Sequence, residues 1–101
     1  MTTLVYTAAA ERDLTQISLY IAADNPQAAR HFVGRIRRHC AHFVRFPQMG
    51  PRRPDILADL RSLAHGSYII YYRRNEARDE VQILRIWHGR RKTITAADLP
   101  E

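Results

Sequence analysis

Two periodicities divide the chain. From Ala8 to Val44 the apolar positions recur at helical spacing, and from Ile56 to His88 they recur at intervals of two. Ala10, Leu14, Ile17 and Ile21 follow one another at four, three and four residues, one face of a 3.6-residue period, with Glu11, Arg12, Asp13, Thr15 and Gln16 placed elsewhere. Thr7 is a suitable N-cap for this helix, and Glu11 puts an acid in its first turn. Asp24-Asn25-Pro26 then stops it and starts a second, because Asn25 can cap and Pro26 suits a first helical position with its preset φ and missing donor. The second helix carries Ala29, Phe32, Val33, Ile36, Cys40, Phe43 and Val44 on one face, with arginines and histidines around the rest.

Phe46 to Pro54 contains three prolines and a glycine, so no helix continues through it, and Phe46 and Met49 are expected to pin this crossing to the core. Beyond it come three strand candidates, 59–63, 67–73 and 80–88, joined by short breaks that make neighbours antiparallel. Leu4-Val5-Tyr6 can add a further strand. The pattern predicts an α+β fold of order β-α-α-β-β-β, a helix hairpin packed on one face of a small, mainly antiparallel sheet. Residues 1–92 read as one domain and 93–101 as a tail that holds a helical turn or frays.

Alternation sorts the strand residues into faces. Gln82, Leu84, Ile86 and His88 are expected together, opposite Val81, Ile83, Arg85 and Trp87, while Tyr68, Ile70 and Tyr72 oppose Ile69, Tyr71 and Arg73. Because an unpaired guanidinium is very costly to bury, the set holding Arg73 and Arg85 is the one expected to face outward. That face would be the one free for work.

Composition adds a sign to this surface. The 101 residues carry 16 Lys and Arg against 10 Asp and Glu, a formal +6, and Lys92 is the sole lysine. Such a balance favours polyanionic or acidic partners, and an ordinary solvated basic surface fits it equally. The 46% hydrophobic content excludes a disordered chain. Cys40, alone and at helical spacing with Ile36, Phe43 and Val44, reads as a core residue. No signal peptide or membrane span is legible, which fits a cytoplasmic protein. His39 and His42 lack an accompanying carboxylate or thiolate, so neither a metal nor a cofactor is expected.

Several short runs, in order, resemble the ParE/RelE superfamily of toxins from bacterial type II toxin-antitoxin modules. They are Ala10-Glu11-Arg12-Asp13-Leu14, the hairpin from Tyr20-Ile21-Ala22 to Asn25-Pro26-Gln27-Ala28-Ala29, Phe46-Pro47-Gln48-Met49-Gly50, Leu60-Arg61-Ser62-Leu63, His65-Gly66-Ser67-Tyr68, Ile70-Tyr71-Tyr72-Arg73 and Leu84 to Arg91. The resemblance implies the same β-α-α-β-β-β fold and two possible activities. RelE-like members look like ribosome-dependent nucleases of messenger RNA, which need a base for the ribose hydroxyl, cations for the phosphorane and an acid for the leaving oxygen. ParE-like members poison DNA gyrase. Here Arg91 matches a cation of the nuclease pattern, but Ile69 stands where that pattern has an arginine, no lysine pair precedes Arg61, and the tail has no tyrosine.

The resemblance therefore points to a ParE-like toxin, not itself an enzyme, with Arg61, Arg73, Arg85, His88, Arg90 and Arg91 as target contacts. It also implies a hetero-oligomer with an acidic, ParD-like antitoxin, which would enter a groove built from Leu14, Ile17, Ile21, Phe32, Ile36 and Tyr71. The alternatives are a nuclease using His88, Arg91 and Arg61 on ribosomal messenger RNA, and a non-toxic family member that only binds antitoxin.

Overall fold

The computed structural model describes residues 1–100. Strand β1 (Thr3–Tyr6) leads into helix α1 (Ala8–Ala22), then α2 (Pro26–Arg45), β2 (Arg61–His65), β3 (Tyr68–Asn75) and β4 (Glu80–His88), with a 3₁₀ turn at Ala96–Asp98. The sheet order is β1-β4-β3-β2, parallel between β1 and β4 and antiparallel elsewhere. The expected α+β architecture, two helices on a mostly antiparallel sheet, is what forms.

Both helix starts follow from the caps. The Thr7 hydroxyl accepts from Ala10 N at 3.1 Å and donates to Leu84 O at 2.9 Å, so one side chain begins α1 and ties it to β4. Asn25 Oδ1 accepts from Ala28 N, with Pro26 at the first helical position of α2. Ala10, Leu14 and Ile17 of α1 and Ile36, Cys40 and Phe43 of α2 close over Ile70, Tyr72, Val81, Ile83 and Ile86 of the sheet. Phe43 stacks on Tyr72 with ring centroids 4.0 Å apart. Burial pushes the Cys40 thiol up to about 11, which keeps it inert as a packing residue.

Strand β4 departs from simple alternation. Its register with β3 slips between Tyr71, which faces Arg85, and Tyr72, which faces Ile83, so that Leu84 has no partner and forms a bulge. The bulge corrects the expected grouping. Val81, Ile83 and Ile86 lie under the helices, whereas Leu84 and Trp87 lie on the opposite face with Tyr71. That face is not free either. Leu60, Ile56 and Leu57 from the crossing and Ile94 and Leu99 from the C-terminal segment fold over it as a second, smaller core.

The crossing is held differently from expectation. Phe46 and Met49 are exposed, and the anchor is Tyr72, whose hydroxyl donates to Pro47 O at 3.0 Å and accepts from Gly50 N at 2.8 Å. Ser62 N donates to Pro51 O and Arg52 bridges Arg61, so the crossing lies along the outer edge of β2. Gly50 is required by this approach, since a Cβ there would sit 2.5 Å from Ser62 O. The C-terminal segment is fastened by Trp87 Nε1 donating to Lys92 O and by Lys92 Nζ pairing with Asp98 at 2.9 Å. Lys92 and the Thr95 backbone donor hold the Asp98 carboxyl down at about 2.

Candidate functional site

The basic residues named from the sequence fall into three places. Arg85 is the first and is a correction: it does not face solvent. Its side chain is 16% exposed and its Nε and Nη2 donate to the two carboxylate oxygens of Asp13, at 2.8 and 2.9 Å. Nη1 donates to Asp98 O. The objection to burying a guanidinium is met because Asp13, which lies on the buried face of α1 and not outside it, supplies the acid. Asp13 also accepts from Ile86 N at 2.9 Å. It therefore satisfies the edge of β4 beyond the point where β1 ends, and hydrogen bonding to Asp13 raises the Arg85 pKa further.

Arg61 and Arg73 are at one end of the sheet, where a cleft of about 650 Å³ is lined by Pro47, Gln48, Arg52, Asp59, Arg61, Arg73, Arg74, Asn75 and Glu76. Strand β2 begins at Arg61, opposite Tyr72, so Arg73 to Asn75 run on with β4 on one side only. Arg61 Nη1 donates to Gly50 O at 2.8 Å, and Arg73 Nε donates to Gln82 Oε1 at 3.0 Å.

His88 and Arg91 are at the other end, in a hollow of about 190 Å³ shared with Asp13, Gln16, Ile17, Tyr20, Tyr68 and Ile86. His88 Nδ1 accepts from Arg90 N at 3.0 Å, which leaves Nε2 to carry the ring proton. The Tyr68 ring meets the imidazole edge-on at 4.9 Å, and burial raises the Tyr68 phenol above its ordinary value. The Arg91 guanidinium lies 3.9 Å over the Trp87 ring, while Arg90 is exposed.

The three nuclease candidates are thus not assembled. His88 pairs with Tyr68 and Arg61 with Tyr72, a separation of four residues, or roughly 13 Å, along β3 alone. Arg61 and His88 line different hollows.

The groove residues divide similarly. Leu14, Ile17 and Ile36 are buried in the main core, and Tyr71 is in the second core on the far face of the sheet, so these four support surfaces more than they form one. Ile21 and Phe32 are partly exposed. A groove of about 490 Å³ does lie between the helices, lined by Glu11, Leu14, Thr15, Ser18, Leu19, Arg30, Val33, Gly34 and Arg37. Leu19 in this groove and Tyr20 at the His88 hollow are 68% and 80% exposed. Their exposure was missed in the sequence, although both sit off the stripe of α1 and are too apolar for a solvated face.

His39 and His65 form a further polar pair, Nδ1 to Nδ1 at 2.9 Å, across α2 and β2. Desolvation lowers both pKa values, reinforced by His65 and His42 at His39 and by Arg35 at His65.

Comparison with known proteins agrees with this fold. Among solved structures, the chromosomal ParDE toxin-antitoxin system of P. aeruginosa has a chain 26% identical, with a TM-score of 0.73 over 87% of this chain and 96% of that one. A chain of the toxin-antitoxin complex RelBE2 from Mycobacterium tuberculosis is 25% identical, with a TM-score of 0.60 over 86% and 96% of the two chains. A search of curated proteins found no significant match. The family model described as the ParE toxin of the type II toxin-antitoxin system, parDE, matches residues 4–93. With nine-tenths of its length matched in this way, the chain belongs to the ParE toxin family of type II toxin-antitoxin systems.

Proposed function

We propose that the protein is a toxin that inhibits DNA gyrase, and thereby arrests replication and growth in the cytoplasm, until a cognate acidic antitoxin neutralises it. The observation that carries the choice of target is the separation of Arg61 from His88 and Arg91, which line different hollows at opposite ends of the sheet. Family membership supports the antitoxin, as do two structural neighbours that come from toxin-antitoxin systems. The groove between α1 and α2 suits it: Leu14, Leu19 and Val33 line it together with Arg30 and with Arg37, which is paired with Glu11. An acidic amphipathic helix fits such a groove.

The target contacts are then the exposed Arg90 with Arg91 and His88 at one end of the sheet, and Arg73 and Arg61 at the other. Purified protein added to gyrase and relaxed plasmid is expected to suppress supercoiling, and Arg91→Ala to weaken that effect. Because Arg91 also rests on Trp87, its removal should cost stability of about 0.5–1 kcal/mol, far too little to unfold the chain. Undisturbed supercoiling together with cleavage of message on stalled ribosomes would overturn the gyrase reading.

The nuclease alternative keeps one specific support, the His88 imidazole beside Tyr68 and Arg91 in a single hollow. Cleavage of message on stalled ribosomes that a folded His88→Ala protein no longer performs would favour it.

A further inference from the structure

The cleft at the Arg61 end is a second cationic surface, separate from the His88 end, and its arginines differ in what already occupies them. Arg74 is paired with Asp79 at 3.0 Å. Among the described residues, Arg52, Arg61 and Arg73 have no carboxylate within ion-pair distance, although Asp59 and Glu76 stand on the same rim. Arg61 and Arg73 are instead oriented by neutral acceptors, Gly50 O and the Gln82 amide. These hold the guanidinium groups in place without cancelling their charge. Arg52 is exposed and held only through its backbone bridge to Arg61.

Four guanidinium groups thus line a concave surface of about 650 Å³, floored by the end of β3 that β2 leaves uncovered. Gln48 and Asn75 add neutral amides. The lining contains no aromatic ring. Sites for unpaired nucleic-acid strands draw much of their affinity from bases stacked on aromatic side chains, whereas a duplex presents phosphates and keeps its bases stacked internally. Bidentate guanidinium groups match phosphate geometry, and arginine keeps its charge at any physiological pH.

We propose that this cleft binds the phosphodiester backbone of duplex DNA directly, through Arg52, Arg61 and Arg73, without reading sequence. The contact goes beyond the gyrase reading, because it needs no topoisomerase and is measured without one.

The test is fluorescence anisotropy of a labelled mixed-sequence 20-base-pair duplex, titrated with the whole protein at several salt concentrations. Binding should weaken steeply with salt, since each neutralised phosphate releases counterions. The variant Arg52→Gln/Arg73→Gln should lower the slope of log affinity against log salt by about two. A control of the same net charge, Arg12→Gln/Arg38→Gln on exposed helix positions, should leave that slope within error of the parent. Equal losses in both variants, or no binding to the duplex at 50 mM salt, would overturn the proposal, as would tighter binding to a single strand of the same sequence. Thermal unfolding checks that the cleft variant is folded. Arg52→Gln alone, whose side chain supports nothing else, supplies the same readout with an expected slope change of about one if the double variant is not. Supercoiling inhibition is scored separately with Arg52→Gln, which is not among the target contacts, so loss of DNA binding with retained inhibition leaves the gyrase reading intact.

Discussion

Asp13 ties helix to sheet through one buried carboxylate. Its carboxylate takes two hydrogen bonds from Arg85 and one from the Ile86 backbone, so it joins α1 to the stretch of β4 that β1 leaves uncovered. Removing one member of a buried pair leaves the other charged and unsatisfied, at a cost of about 3–5 kcal/mol. Since the Arg85 side chain retains 16% exposure, water can reach part of it, and the lower end of that range applies. Asp13→Ala should therefore destabilise the protein by about 3 kcal/mol in urea unfolding. Asp13→Leu combined with Arg85→Met should recover part of the loss, because both charges are then gone. A double variant no more stable than Asp13→Ala would show that the Ile86 amide, not the stranded guanidinium, sets the cost.

At the scale of elements, the order of helices and strands was legible because periods of 3.6 and two are local properties of the chain. The Thr7 and Asn25-Pro26 caps fall where their side-chain chemistry required. What alternation could not deliver was the facing of β4 beyond Ile83, because the bulge at Leu84 resets it. The adjacent apolar pairs Ile83-Leu84 and Ile86-Trp87 are the trace this leaves in the sequence. The same limit hid the site: whether Arg73 or Arg85 is free depends on Asp13 and Gln82, partners that no spacing rule brings together.

The seam between α2 and β2 makes a further prediction at this scale. The contact between His39 Nδ1 and His65 Nδ1 uses one proton shared between two neutral rings; desolvation opposes charging either ring, and charging both would set like charges against each other. Both pKa values are lowered in the fold, so the unfolded chain binds more protons below the ordinary histidine value of 6.5. Stability from this pair is in place above that pH and is lost as pH falls towards the folded values beneath it. The melting temperature should drop between pH 7.5 and 5, and His39→Gln, which cannot titrate, should flatten the drop. Parallel pH profiles for variant and parent would assign the acid sensitivity elsewhere.

Across the whole molecule, one arginine cluster lies at each end of the sheet, further arginines are carried by the helices, and the least polar of the three hollows lies between those helices. A partner that neutralises the toxin can therefore bind away from both arginine clusters. Gly34 offers a way to examine that arrangement, because it lies mid-helix in α2 on the wall of the groove. A Cβ there would meet only the Arg38 guanidinium at 3.5 Å, an ordinary contact. Gly34→Leu should thus stabilise the isolated toxin by roughly 0.5–1 kcal/mol through helix propensity alone, while its side chain fills the groove against an incoming apolar residue. Calorimetry with the cognate antitoxin should then show at least tenfold weaker binding to a more stable toxin, and co-expression should protect cells less well. Unchanged affinity for a correctly folded Gly34→Leu protein would move the antitoxin off the helix groove and onto another face.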